Sequence, residues 1–122
     1  MSNFTLEFSG VKEFQDKIDI AIAELPEEAL AVMRKSANRV EAKTAQNTPV
    51  LTGYLQSRVQ VRWLSEAGEE IAYELFNDAE YAMYVEFGTT HMKAEPYFNP
   101  SVEDERHQLV KDIIKLVRKV LS

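Results

Sequence analysis

Cysteine is absent from this 122-residue chain, which excludes disulfides and thiolate metal sites and permits a reducing compartment. Histidine is scarce: His91 and His107 are the only two. A metal site needs several convergent ligands, which two distant histidines without cysteine do not supply. The four glycines are scattered and build no phosphate-cradling loop. No run approaches the ~18–20 continuous apolar residues of a membrane span. The start, Met1 to Phe8, has neither the basic residues nor the apolar stretch of a signal peptide. Positive charge is in deficit, with 14 lysines and arginines against 20 acidic residues and a formal net charge of −6. Nucleic-acid binders neutralise phosphates with a basic patch, so general nucleic-acid binding is disfavoured.

What is present is an ordinary globular composition, 45% hydrophobic and 28% charged. The length suits one domain over residues 1–122. Phe4, Leu6 and Phe8 alternate with polar residues and predict a short strand ended by Ser9-Gly10. Val11, Phe14, Ile18, Ala21, Ile22 and Leu25 recur at helical spacing. Pro26-Glu27-Glu28 opens a second helix, because proline suits the first turn and carboxylates complement the helix dipole. That helix reaches Ala45 or Gln46, with a stripe of Leu30, Met33, Ala37, Val40 and Thr44, and Asn47-Thr48-Pro49 stops it.

Strict alternation from Leu55 through Ser57, Val59 and Val61 to Trp63 predicts a strand. A turn at Ser65-Glu66-Ala67-Gly68 leads to a second strand with Ile71, Tyr73 and Leu75 on one face, and the pair forms an antiparallel hairpin. Asn77-Asp78-Ala79-Glu80 breaks it. Tyr81 to Phe87 fits both periods, as short apolar runs do; a helical turn passing into a strand satisfies both. Gly88 to Phe98 is a loop, and Asn99-Pro100 opens a last helix with asparagine as N-cap. Glu103, Asp104 and Glu105 near its start and Lys111, Lys115, Arg118 and Lys119 toward its end complement the dipole. The fold class is α+β: a small antiparallel sheet packed against two amino-terminal helices and one carboxyl-terminal helix.

Chemistry is thinly signalled. No carboxylate pair has acid–base spacing. Glu86, between Val85 and Phe87, is expected to bond Arg58, Arg62 or a backbone N–H at Gly88 or Thr89. His91 has Thr89, Thr90 and Ser101 within sequence reach, but nothing specifies a catalytic geometry. His107 reads as a surface residue. Gly53 and Gly88 supply positive φ at turns. The aromatics divide between core and a protein interface, where tyrosine and tryptophan are enriched. No catalytic residue, metal or cofactor is expected.

Two blocks carry a resemblance. One is Pro49, Thr52, Gly53, Leu55 and Ser57; the other is Tyr81, Ala82, Tyr84, Val85, Glu86, Phe87, Gly88 and Thr89, continued by Met92, Ala94, Pro96 and Pro100. Together they resemble the tail-completion family of siphophages, described as minor tail or head–tail joining proteins. The order of elements matches from about the second helix onward. Gln56 stands where such proteins often carry a basic residue, and Tyr97 where phenylalanine is usual.

The resemblance implies a non-enzymatic virion component of the neck, made in the host cytoplasm. It implies rings, sixfold, around the DNA path, with other neck and tail proteins as partners and no membrane. Pro49, Thr52, Gly53, Leu55, Ser57, Tyr81, Tyr84, Glu86, Phe87 and Pro96 are then structural motif residues. Gly88, Thr89, His91, Met92, Lys93, Tyr97 and Phe98 are candidate interface residues, on a loop long compared with the usual ~4–6 residues and able to order against a neighbour. A small cytoplasmic binding or regulatory module of the same architecture is the competing reading, because fold alone does not fix function.

Overall fold

The computed structural model describes residues 6–7, 15–50, 53–67 and 70–121. Phe4, Phe8, Gly10, Val11, Phe14, Thr52 and Gly68 lie outside the described residues, as do the side chains of Ile18 and Leu121. The elements run β1 (Leu6–Glu7), α1 (Gln15–Glu24), α2 (Pro26–Asn47), α3 (Tyr54–Ser57), β2 (Val59–Ser65), β3 (Ala72–Asn77), α4 (Ala82–Phe87) and α5 (Asn99–Leu121). The α+β expectation holds. The sheet is antiparallel in the order β1-β3-β2. Val61 stands opposite Leu75 and Trp63 opposite Tyr73, and Leu6 pairs with Leu75 from the other side. The Trp63 and Tyr73 rings lie 5.6 Å apart, a cross-strand aromatic pair on the inner face.

Helix α2 is the hub. It packs on β2 and β3 and pairs with α5, while α1 lies against α5 and α2. Pro26 opens α2 as expected, and Thr48, extended before Pro49, closes it. Its buried positions Ala29, Met33, Ser36, Ala37, Val40 and Thr44 follow helical spacing. The main core joins Met33, Ala37 and Val40 of α2 to Tyr73 and Leu75 of β3, Val85 of α4, Tyr97, Phe98, and Val102 and Leu109 of α5. A smaller cluster of Ala21, Ala29, Leu116 and Val117 fastens α1 to the far end of the α2–α5 pair.

Two local expectations are corrected. Leu55 and Ser57 are not in a strand: Tyr54–Ser57 is a helical turn, and β2 begins only at Val59. Gly53 at φ 81° turns the chain, Ser57 N–H donates to Gly53 O at 3.0 Å, and buried Asn77 donates through Nδ2 to Leu55 O at 2.9 Å. Asn77 therefore ends β3, where the hairpin was expected to break, and ties it to α3. Tyr81–Phe87 resolves as a helix with no strand after it: Val85 N–H donates to Tyr81 O and Gly88 N–H to Tyr84 O.

Candidate functional site

Both sequence blocks meet at the end of the molecule where α2 finishes and α5 starts. Gln56 Nε2 donates to Ala45 O at 3.0 Å, covering one of the terminal carbonyls of α2. Asn47 Nδ2 donates to Ser101 Oγ, and Ser101 Oγ to Tyr97 O. The rings of Tyr54 and Tyr81, one from each block, lie 6.4 Å apart.

Glu86 organises this end. Only 2% of it is exposed. Its Oε1 accepts N–H bonds from Tyr97 at 3.0 Å and Phe98 at 2.8 Å, and its Oε2 accepts from Asn99 at 3.0 Å. These are donors at the start of α5, which have no intrahelical acceptor. A carboxylate there also meets the positive end of the helix dipole. The expected partners of Glu86 are thus corrected. Arg58 pairs with Asp78, Arg62 pairs with Glu74 and stands over the Phe76 ring, and Gly88 N–H bonds Tyr84 O. Asn99 is corrected too. It lies inside the first turn of α5, and Phe98, whose carbonyl accepts from Val102 N–H, precedes the helix. With Glu86 serving the donors, no asparagine cap is needed.

The loop from Gly88 to Phe98 is built rather than loose. Thr89 N–H donates to Met92 O at 2.8 Å and Met92 N–H returns to Thr89 O at 3.4 Å, so Thr90 and His91 form a tight tip. Glu95 N–H donates to Val85 O at 2.8 Å and fastens the returning limb to α4. Gly88 sits at φ 77°, and a Cβ there would meet Ala94 N at 2.8 Å and Met92 O at 2.9 Å. Both the conformation and the close approach require glycine. The loop is therefore already ordered in the single chain.

The candidate loop residues divide by burial. Thr89, His91, Met92 and Lys93 are exposed, Gly88 is half-buried, and Tyr97 and Phe98 are core residues. Tyr97 O–H reaches Ala82 O at 3.5 Å beneath α4, the use this chain makes of a hydroxyl that phenylalanine lacks. Burial pushes the Tyr97 phenol well above its usual range, helped by the neighbouring Glu86 carboxylate and Tyr81. Helix α4 is two-sided: Ala82, Val85 and Glu86 face in, while Met83, Tyr84 and Phe87 face out, Phe87 with 61% of its surface exposed. Of the remaining motif residues, Pro96 and Ser57 are exposed, Pro49 and Tyr81 half-buried and Leu55 buried.

A second polar group lies between α2, α5 and β3, and sequence reading missed it. Glu105, 3% exposed, accepts from Arg39 Nε at 2.6 Å and Arg39 Nη2 at 2.7 Å. It also accepts from Ser36 Oγ at 2.6 Å. Ser36 Oγ lies 2.7 Å from Tyr73 Oη. A carboxylate only accepts, so Ser36 gives its proton to Glu105 and receives that of Tyr73. Arg39 Nη2 also reaches Asp112 at 3.1 Å. The bond to Glu105 raises the Arg39 pKa, and burial raises that of Tyr73. The signal was available: Glu105 falls three residues after Val102 and four before Leu109, on the apolar stripe, as Ser36 does between Met33 and Val40.

His91 and His107 are both exposed, on a loop tip and on α5. Among the described residues no cluster of histidines and carboxylates is arranged to hold a metal ion. No helix among them is long and apolar enough to cross a membrane.

In this small α+β body the buried carboxylates hold helices together, and α4 displays an aromatic face. The chain belongs to the HK97-gp10-like family of bacteriophage tail components, which matches residues 12–88, more than half its length. It is thus a bacteriophage structural protein of the tail. No curated protein and no solved structure matches it. The family match takes in the first block and the second as far as Gly88; the Glu86 donors at 97–99 lie beyond it.

Proposed function

We infer that the chain acts at the phage neck, in tail completion and head–tail joining, as a sixfold ring around the DNA path. It does so without catalysis, with residues 1–122 working as one tail-completion-like domain. The observation that carries this reading is the clamp in which Glu86 locks α4 to α5. It presents exposed α4 aromatics and a preformed loop outward from a rigid body, as an assembly part must. The family match supports a place in the tail, and the net charge of −6 suits DNA passing nearby without adhering. Gly88, Thr89, His91, Met92 and Lys93 then meet neighbouring neck or tail proteins, while Tyr97 and Phe98 anchor the loop from inside.

Electron microscopy of lysates from a phage or prophage with this gene disrupted tests the reading. Filled heads accumulating beside separate tails, with rescue by the intact gene, are expected. Normal infectious virions would overturn it and favour the binding-module alternative. Shortening the loop between Thr89 and Lys93 should block joining while the chain still folds.

A further inference from the structure

We propose that the outward face of α4 is a self-association surface whose occupant is the basic stripe of α5 on a second copy of this chain. The proposal rests on the ring reading above and names its contact. Met83, Tyr84 and Phe87 stand out from α4, extended by exposed Tyr54 and by Met92, whose backbone is tied to Thr89. With a full aromatic side chain at ~200 Å², their exposed area is on the order of 500 Å². That is the size of the largest patch on a typical monomer, which is often functional. Glu86 and Gly88 hold the patch in place from beneath, so little ordering is needed on contact.

Charge points to the occupant. Glu80, in the turn leading into α4, and Glu95, fastened to Val85, are both exposed at the rim of the patch; Lys93 is a cation on the same loop. The complement on the same chain is Lys111, Lys115 and Arg118, exposed along one side of α5 next to half-buried Ile114. Among the described residues none of these three cations pairs with a carboxylate. Glu86 fixes α4 at the start of α5, whereas the stripe begins at Lys111, about 18 Å along the helix at 1.5 Å per residue. The stripe of one chain therefore does not lie beside its own patch. A twofold pairing of α4 on α4 would set Glu80 and Glu95 against their copies, while α4 on α5 opposes unlike charges. The contact is heterologous, the kind that closes into a ring when the rotation fits.

The test is sedimentation velocity and native mass spectrometry of the full chain from micromolar to millimolar concentration. The wild type is compared with Tyr84→Asp/Phe87→Asp and with Lys111→Glu/Lys115→Glu. The wild type should assemble, and each variant alone should be monomeric with an unchanged far-ultraviolet circular dichroism spectrum. An equimolar mixture of the two variants should stop at a heterodimer, since it holds one intact face of each kind. Carbodiimide cross-linking of the wild type gives a readout free of variants: links from Glu80 or Glu95 to Lys111 or Lys115 between chains are expected. Variants that assemble like the wild type, a mixture that stays monomeric, or intermolecular links only elsewhere would overturn the contact and leave the ring. A wild type monomeric at every concentration would remove the second copy as occupant, and the neck role would still stand or fall with the lysate experiment.

Discussion

Two buried glutamates hold this chain together by different chemistry. Glu105 is met by side chains, a guanidinium and a hydroxyl, across the α2–α5 seam. Glu86 is met by three backbone N–H groups at the start of α5, and among the described residues no cation reaches it. Side-chain partners can be exchanged together for a packed apolar pair. Backbone donors are not removed by exchanging a side chain, short of proline. The Glu86 junction is thus the less replaceable of the two, and it is the one that lies beneath the exposed α4 face.

The comparison breaks first at Glu86. Glu86→Ala strands three donors at ~1–3 kcal/mol each, of which relaxation recovers part, so a loss of about 3–4 kcal/mol in urea unfolding is expected. Amide exchange at Tyr97, Phe98 and Asn99 should accelerate well beyond the rest of α5. Glu86→Gln keeps one acceptor oxygen and should cost about half as much. Equal protection of those three amides in Glu86→Ala would show that the clamp is not what orders the junction.

Gly88→Ala should follow, at about 2–3 kcal/mol, combining the strain of an L residue at φ 77°, ψ 175°, a region open essentially to glycine alone, with a Cβ pressed against Ala94 N and Met92 O. Gly53→Ala is the control. Its φ of 81° is similar, but its ψ of −14° puts it in the milder left-handed helical region and nothing lies within 4 Å of the new Cβ, so about 1 kcal/mol is expected. Equal losses at the two glycines would mean that neither the close approach at Gly88 nor its more restricted backbone adds to the cost.

Glu105→Ala is expected to cost about 2 kcal/mol, less than Glu86→Ala, because Arg39 keeps Asp112 and access to water. Arg39→Met with Glu105→Leu should return to within ~1 kcal/mol of the wild type, as buried ion pairs replaced by packed apolar groups often do. A double variant less stable than Glu105→Ala would place Glu105 alongside Glu86 as irreplaceable.

The same contrast explains what could be read beforehand. Helices α2 and α5 are long, and their apolar stripes repeat over several turns, so their limits were legible within one or two residues. Helix α4 has six residues, too few to separate a period of 3.6 from one of 2. Leu55 and Ser57 continue the alternation of Val59 and Val61, and that pattern concealed the turn at α3; Gly53 was the clue. The Glu86 partners stand 11 to 13 residues away and are backbone groups. No side-chain pattern encodes them, although the two sequence blocks marked the right region. Glu105 was legible on the stripe of α5, but a dipole role for the acidic run Glu103–Glu105 explained it too easily.

The smallest expected effect is confined to alkaline pH and touches both regions, since Tyr73 belongs to the Glu105 group and Tyr97 to the Glu86 junction. Burial raises both phenols above the usual ~10. The unfolded chain, whose tyrosines ionise near pH 10, then sheds those protons before the folded one does. The stability tied to the neutral phenols is complete below that pH and is lost as pH climbs toward the raised folded values. Two of the five tyrosines should stay silent in the 295 nm titration until the chain unfolds. Tyr97→Phe keeps the ring and gives up only a 3.5 Å bond to Ala82 O, so it should change little at neutral pH and flatten the fall of Tm above pH 10. Tyr73→Phe should flatten it likewise, at the cost of about 1 kcal/mol at neutral pH, because Ser36 loses a donor inside the core. If the slope of Tm against pH is unchanged in both variants, the alkaline limit lies outside these two regions. If only Tyr97→Phe flattens it, the junction that Glu86 holds is the part of the fold that alkali opens first.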